Sequence, residues 1–482
     1  MLRLFHACPF CTIAPPHILR EIASRGDAQE REAAERTLEV TRALRTARLR
    51  AIATGAPPPA AETEALFRRR TGARSTHDAG NMTRLPGRLV RDEASSDSGD
   101  TAVDEAHVYA GITRDFLQKV FRRRSLDGRG MPLVSTVHYD RDYENAFWDG
   151  GQMVYGDGDG RVFQRFTVCL DVVGHELAHG VTQFTSNLVY FEQPGALNEH
   201  FSDVIGSLVK QWHRGEDAAA ADWLIGAGLL APGIRGRALR SMSAPGTAYD
   251  DPLIGRDPQP AHMRDFHHGP EDQGGVHINS GIPNRVFWRV ATEIGGPAWE
   301  LPGRIWWQAF TGMLRARADF GDAARATADA AGELGGRGAA ATVLAAWREA
   351  GVVVPRARAG ATRGAARGAA RGPAVVAAAA AAPRGRGKAP VRKTASGDAG
   401  GKRAPAKKAA GRTAAPKKAA GRGAAAKKAA GRGAAAKKAA GHGAAAKKAG
   451  GGRRAPAKIR AASGARAARR PSGNGRAAPP RT

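Results

Sequence analysis

Gly174-His175-Glu176-Leu177-Ala178-His179-Gly180 is the stretch on which the reading of the chain turns. An α-helix turns once per 3.6 residues, so His175 and His179 stand one above the other and offer two nitrogens to one ion at about 2.0–2.1 Å. Glu176 is rotated by about 100° and stays free to act as a base toward a water beside that ion. The pattern also fits an ordinary amphipathic helix, because five-residue patterns match by accident. Two imidazoles leave a catalytic zinc site incomplete, since such a site takes three protein ligands and keeps one position open. The next helical stretch, Asn198-Glu199-His200-Phe201-Ser202-Asp203, places carboxylates at i and i+4. One of them can ligate while the other orients an imidazole.

Outward from this centre, apolar spacing predicts a helix over about 168–182, with Leu170, Val173, Leu177 and Val181 as its buried stripe. A second is predicted over about 196–213, carrying Leu197, Phe201, Ile205, Leu208 and Trp212. Upstream, residues 108–122 place Ile112, Phe116 and Val120 on one helical face. Residues 132–160, rich in Val, Tyr and Thr and punctuated by Asp-Gly pairs, read as strands and hairpins. Downstream of Pro232, helical runs are predicted near 284–294, 304–317 and 339–350. A sheet-containing half is therefore expected to precede a mainly helical half, with the metal motif near the join.

Composition divides the chain further. From Arg356 onward there are 34 Lys and Arg against one acid, Asp398, whereas the rest holds 40 bases against 44 acids. The net charge of +29 thus belongs to the tail. Lys-Lys pairs recur there every ten residues, from 407/408 to 447/448, among Ala and Gly. Such a segment buries too little surface to offset its ordering entropy, and residues 355–482 are expected to be a disordered tail. Its charge predicts non-specific attraction to polyanions, DNA first, then an acidic envelope polymer or anionic membrane surface. A solvating extension without a fixed partner is the plain alternative. No stacking aromatics interleave, which argues against base-specific reading.

Three cysteines, Cys8, Cys11 and Cys169, make no disulfide framework. The N-terminus lacks the apolar run of a signal peptide, and no stretch of about 18 apolar residues would span a membrane. Cytoplasmic residence or release by an unconventional route is expected. Residues 28–54 read as a solvated helix whose docking stripe involves Leu38, Ala43, Leu44, Ala47 and Leu49. Pro57-Pro58-Pro59 breaks it, and Arg68-Arg69-Arg70 marks an exposed linker.

Six blocks carry a resemblance to the thermolysin family of zinc metalloproteases. They are Asn145-Ala146-Phe147-Trp148, the Gly-rich run 155–160, the stretch 171–179, Gly195-Ala196-Leu197-Asn198-Glu199, the stretch 239–243, and 274–281. They keep their order over about 140 residues, and the looser likeness runs from 108 to 354. The resemblance implies an α+β fold of two lobes and a neutral endopeptidase acting on polypeptides. Its zinc would be bound by His175, His179 and Glu199, with Asp203 holding His175 in its ligating tautomer. Glu176 would take a proton from the attacking water and deliver it to the leaving amine. His277, oriented by Asp272, and Tyr190 would donate to the developing oxyanion. Asn145, Ala146 and Arg240 would hold substrate backbone, and Phe163, Phe166, Val172 and Leu239 would line a pocket for a bulky apolar residue after the cut. Outside this context His277 reads as a satisfied core histidine, Tyr190 and Arg240 as packing and surface residues, and the four apolar residues as core.

Where many family members carry acids for a paired calcium site, this chain keeps Asp171 and Asp222 but has Lys210, Leu224 and Ala227. An ammonium repels the ion, so calcium is doubtful there. Asp157 and Asp159 read as a turn rather than another calcium site. Pro15-Pro16-His17-Ile18-Leu19 resembles the short precursor segment of the protealysin-like branch. That likeness implies an inhibitory propeptide over 1–80, followed by an N-terminal catalytic lobe over 81–225 and a helical lobe over 226–354, with the cut between about 55 and 85. Cys8-Pro9-Phe10-Cys11 would then offer a thiolate, from Cys8 or Cys11, to block the open zinc position. A half zinc knuckle and a redox pair are the other readings of that motif. A nucleoid-type DNA-binding protein with a silent or secondary protease domain is the rival to the enzyme as a whole.

Overall fold

The computed structural model describes residues 11–54 and 72–355. The Pro57–Pro59 break, the Arg68–Arg70 linker, Cys8 and the basic tail lie outside the described residues.

A six-stranded mixed sheet builds the first lobe, in the order β1–β5–β6–β4–β2–β3. Its strands are β1 (Cys11–Thr12), β2 (Arg74–Met82), β3 (Arg88–Asp92), β4 (Leu133–Tyr139), β5 (Ala146–Trp148) and β6 (Met153–Tyr155). β4 lies parallel to β2 and β6, and the remaining pairings are antiparallel. The strand Arg74–Met82 runs across residue 80 and pairs with both of its neighbours. Behind the sheet packs α3 (Thr101–Phe121). Asp100 caps its first turn by accepting from the amides of Ala102 and Val103, which starts the helix earlier than its apolar stripe suggests.

The N-terminal segment continues from β1 into α1 (Pro16–Arg25) and α2 (Ala28–Thr54). Helix α2 has the expected span, and Leu38 and Leu44 of its expected stripe pack on the core, but the docking face is wider than expected and excludes the two alanines; the Leu49 side chain lies outside the described residues. Ala33, Ala34, Thr37 and Thr41 are buried, Val40 and Leu44 pack on the cluster of Tyr139, Tyr143, Phe147 and Val154, and Ala43 and Ala47 are exposed. Polar Thr37 and Thr41 take buried places because they bond to the Glu144 amide and the Tyr143 hydroxyl.

Two long helices, α4 (Leu170–Gln183) and α5 (Glu192–Arg214), cross where the lobes join. Their backbones meet at Gly174 and Gly206: a Cβ on Gly206 would lie 2.3 Å from the Asp171 carbonyl oxygen. Only hydrogen fits at that crossing, and the close approach brings the side chains of the two helices within bonding distance.

The second lobe is mainly helical. It contains α6 (Glu271–Asn279), α7 (Gly281–Ile294), α8 (Leu301–Gln308) and α9 (Phe320–Glu349). A π-turn over Ala309–Met313 ends the run expected to continue to Arg317. Helix α9 breaks at Gly336, whose φ is +75°: its second part matches the helix expected near 339–350, and the first part, which the sequence reading left out, starts at a capping box of Asp319 and Asp322. Short pairs, β7 (Leu224–Ile225) with β8 (Arg240–Ser241) and β9 (Asp250–Asp251) with β10 (Gly255–Arg256), connect the lobes.

Candidate active site

Helix α4 presents His175 and His179 on one face, and α5 meets them with Glu199. The ligating atoms form a small triangle: His175 Nε2 to His179 Nε2 is 3.1 Å, and each nitrogen lies 3.4 Å from a Glu199 oxygen. A tetrahedral ion with bonds of about 2.0–2.1 Å requires ligand separations of about 3.3 Å. Glu199 Oε2 is buried without a hydrogen-bond partner, as a ligand oxygen waiting for a cation would be. The residues therefore fit a zinc ion on geometry and on donor type.

The other imidazole nitrogens are tied down. His175 Nδ1 donates to Asp203 Oδ1 at 2.8 Å, and His179 Nδ1 donates to Asn198 Oδ1 at 2.9 Å with Ser202 Oγ 3.1 Å away. Both tautomers are thus fixed with Nε2 lone pairs facing the site. Asp203 also accepts from Arg240, Nε to Oδ2 at 2.9 Å and Nη2 to Oδ1 at 2.8 Å, and from Asn284 Nδ2 at 2.8 Å. Burial opposes its ionisation, but Arg240 and His175 hold the carboxyl below its usual range.

Glu176 sits beside the triangle, fully buried, with neither carboxylate oxygen hydrogen-bonded. Burial first and the Glu199 charge second push its proton affinity well above the ordinary value. Burial also opposes ionisation of Glu199, yet His277, His175 and His179 hold that carboxyl well below its usual range.

His277 is carried by an unusual turn. Asp272, Gln273, Gly274 and Gly275 all have positive φ, and the Asp272 carboxylate accepts from the amides of His277 and Ile278. Asp272 Oδ1 lies 2.6 Å from His277 Nδ1, while His277 Nε2 lies 2.7 Å from the Thr12 carbonyl oxygen. A carboxylate and a carbonyl both accept only, so His277 donates from both nitrogens as an imidazolium. The Tyr190 hydroxyl lies 3.2 Å from His277 Nε2 and donates to Glu199 Oε1.

Three of the substrate-binding candidates, Asn145, Ala146 and Arg240, bond to the N-terminal segment. The Ile13 amide donates to the Ala146 carbonyl at 3.2 Å, and Arg240 Nη1 donates to the Ile13 carbonyl at 2.9 Å. Asn145 Oδ1 accepts from the Ala14 amide at 2.9 Å, and its Nδ2 donates to the Ala14 carbonyl at 3.2 Å. Phe163, Phe166, Val172 and Leu239 are fully buried in the core cluster that also contains Ile13. The expected thiolate block requires correction. Cys11 is disulfide-bonded and pairs through its backbone with Trp148, so it brings no thiolate; the group that reaches His277 is the Thr12 carbonyl. Cys8 lies outside the described residues.

At the doubtful calcium position, Lys210 Nζ donates to Asp171 Oδ2 at 2.8 Å, Asp222 Oδ1 at 2.8 Å and the Leu224 carbonyl at 2.6 Å. An ammonium occupies the place a cation would take. Asp159 accepts from the amides of Arg161, Val162 and Phe163, as a turn residue does.

Asn198, Ser202, Asn284 and the residues Thr12 to Ala14 escaped the sequence reading. Asn198 and Ser202 did carry a signal: they directly precede the two site carboxylates, Glu199 and Asp203, and share a face by i,i+4 spacing.

The description "Thermolysin metallopeptidase, catalytic domain" matches residues 61–183, and "Thermolysin metallopeptidase, alpha-helical domain" matches 186–352. The chain belongs to the thermolysin family of metallopeptidases. An "Extracellular metalloprotease" of Pectobacterium carotovorum subsp. carotovorum is 49% identical over 72% of this chain and 97% of its own. "Protease PrtS" of Photorhabdus sp. (strain Az29) is 45% identical over 71% of this chain and 92% of its own. Among solved structures, the precursor of protealysin, a metalloproteinase from Serratia proteamaculans, superposes with a TM-score of 0.64 at 48% identity, over 71% of this chain and all of that one. The thermolysin-family chain is thus a zinc metalloendopeptidase of the protealysin-like branch, and His175, His179 and Glu199 form its possible metal site. No described helix is long and apolar enough to cross a membrane.

Proposed function

We propose that this enzyme is a neutral endopeptidase that cuts before bulky apolar residues and is made as a self-inhibited precursor. The observation that carries the reading is the Thr12–Ala14 main chain gripped by His277, Arg240, Ala146 and Asn145. Those groups bind backbone, so they suit any polypeptide, and they are occupied before a substrate arrives.

When bound, zinc would supply Lewis acidity toward the scissile carbonyl and a lowered water pKa. Glu176, with no other partner, takes the proton of the attacking water and hands it to the amide nitrogen that leaves. His277 donates to the oxygen that becomes negative, and Asp272 keeps that imidazole charged and aimed. Tyr190, whose hydroxyl lies 3.2 Å from His277 Nε2, would be a second donor to that oxygen. Arg240 and Asn145 hold the residues after the cut in extended form, and Phe163, Phe166, Val172 and Leu239 favour a bulky apolar side chain there. The Lys210 cluster supports a fold that needs no calcium at that position.

For residues 355–482 we propose a tether to a polyanion such as DNA, on charge alone: +33 over the segment. The printed name of the Pectobacterium relative, an extracellular enzyme, supports release from the cell as the route.

Casein hydrolysis by the purified chain tests the enzyme. Activity should disappear with chelator, return with zinc, and be lost in Glu176→Ala; activity surviving that substitution removes the mechanism. Retention on DNA, with and without residues 355–482, tests the tether. Retention should vanish with the tail and fall steeply between 50 and 200 mM salt; retention insensitive to salt would refute the electrostatic account.

A further inference from the structure

The N-terminal segment does more than cover the site: it lies in the register of a substrate. Cys11 pairs with Trp148 and Thr12 with Phe147, antiparallel along the edge strand β5, so the segment adds a strand to the sheet. The Thr12 carbonyl oxygen receives the His277 hydrogen bond, and the next residue has its carbonyl held by Arg240. Ile13 is fully buried, and its bulky apolar side chain belongs to the same hydrophobic core as Phe163, Phe166, Val172 and Leu239. A carbonyl at the oxyanion donor, followed at once by a buried apolar side chain, is the arrangement the enzyme requires of a bond it cuts.

Resting on the endopeptidase reading above, we infer that the Thr12–Ile13 peptide bond is this chain's own first substrate, cut within the same molecule. Water adds to the Thr12 carbonyl carbon while Glu176 takes one of its protons. The C–N bond then breaks, that proton passes to the Ile13 nitrogen, and the second water proton follows it to the freed amine, so that Thr12 leaves as a carboxylate and Ile13 as an ammonium. Residues 1–12, which carry Cys8 and Cys11, separate from a chain that begins with the Ile13 amine. That cut removes β1 from the edge of the sheet and leaves Ile13 and Ala14 held by Ala146, Arg240 and Asn145. Loss of the rest of the precursor segment follows as a second event.

The register has a test that needs no turnover. In the zinc-free Glu176→Ala chain, amide hydrogen exchange should be slow at Ile13 and Ala14, whose N–H groups bond to Ala146 and Asn145, and should become fast in an added Ile13→Asp change. Free exchange at both amides in the Glu176→Ala chain overturns the inference. For the cut itself, zinc is added to the chelator-treated full chain and the products are read by intact mass and N-terminal sequencing. The earliest new N-terminus should be Ile13, at a rate unchanged by tenfold dilution. Ile13→Asp should slow that cut about tenfold or more, and Ile13→Leu should preserve it. Casein hydrolysis with a first new N-terminus between 55 and 85 overturns the inference and leaves the endopeptidase standing. A zinc-loaded chain that hydrolyses neither casein nor itself overturns both.

Discussion

Arg240 and Asp203 form a buried two-pronged pair, with Nε and Nη2 of the guanidinium 2.9 and 2.8 Å from the two carboxylate oxygens. The same Asp203 accepts from His175, and the same Arg240 holds the Ile13 carbonyl. The possible metal site and the arginine that grips the N-terminal segment therefore share one carboxylate.

Asp203→Asn should accordingly weaken both. The His175 tautomer loses its partner, which costs about 10–100-fold in metal affinity. Arg240 loses its counter-charge, so KM rises as well. Zinc titration and KM measured at saturating zinc separate the two effects.

Lys210 leads to an expectation about stability. It is buried against Asp171 and Asp222, so Lys210→Met leaves carboxylates without compensation and should cost about 3–5 kcal/mol. Thermal unfolding of the zinc-loaded protein should be indifferent to calcium or to a calcium-selective chelator. A rise of several degrees on adding calcium would contradict this account of the site.

How much of this was legible in the sequence follows from what kind of contact each feature is. The ligand set could be read because side chains at i and i+4 share a face whatever the tertiary structure, and the helix stripes around Leu177 and Phe201 follow the same rule. The grip on the N-terminal segment was not legible, since Thr12, Ile13 and Ala14 act through main-chain atoms that every sequence possesses. Buried Thr37 and Thr41 defeated the apolar-stripe reading of α2, because hydrogen bonds to Glu144 and Tyr143 took the place of apolar contact. The Asn198 and Ser202 bonds depend on how closely α4 and α5 cross, and that distance is set by the absence of two side chains, at Gly174 and Gly206; the Asn284 bond depends on how α7 packs on α5.

Gly206→Ala should therefore separate the metal ligands as well as strain the helices. Its Cβ would meet the Asp171 carbonyl at 2.3 Å, and rigid backbone offers no cheap escape. Reduced zinc stoichiometry together with a lowered melting temperature is the expected result.

Stability should also fall in alkali, for two separable reasons. His138 lies between Asp157 and Asp100, at 2.8 and 3.0 Å; the Asp157 hydrogen bond raises its pKa to about 9. A raised histidine contributes fully below its unfolded value of about 6.5 and loses that contribution as pH climbs through about 9. Glu144, buried beneath α2 with both oxygens unpartnered, is raised to about 9 by burial and then by Asp159, Glu30 and Asp142. Its neutral form is favoured in the fold, so its contribution is full below about 4.3 and is lost over the same rise to about 9. Melting curves from pH 4 to 10 check both: His138→Gln should flatten the fall between pH 6.5 and 9, and Glu144→Gln should raise the melting temperature at pH 8 but not at pH 4.

The central claim is that His175, His179 and Glu199 hold one zinc ion for Glu176 to use. Metal content and casein hydrolysis measured together on Glu176→Gln test it most directly. The account predicts one zinc per chain, as in the unaltered protein, with hydrolysis lost. Full hydrolysis by Glu176→Gln, or an unaltered chain that cuts casein with no zinc bound, would contradict it.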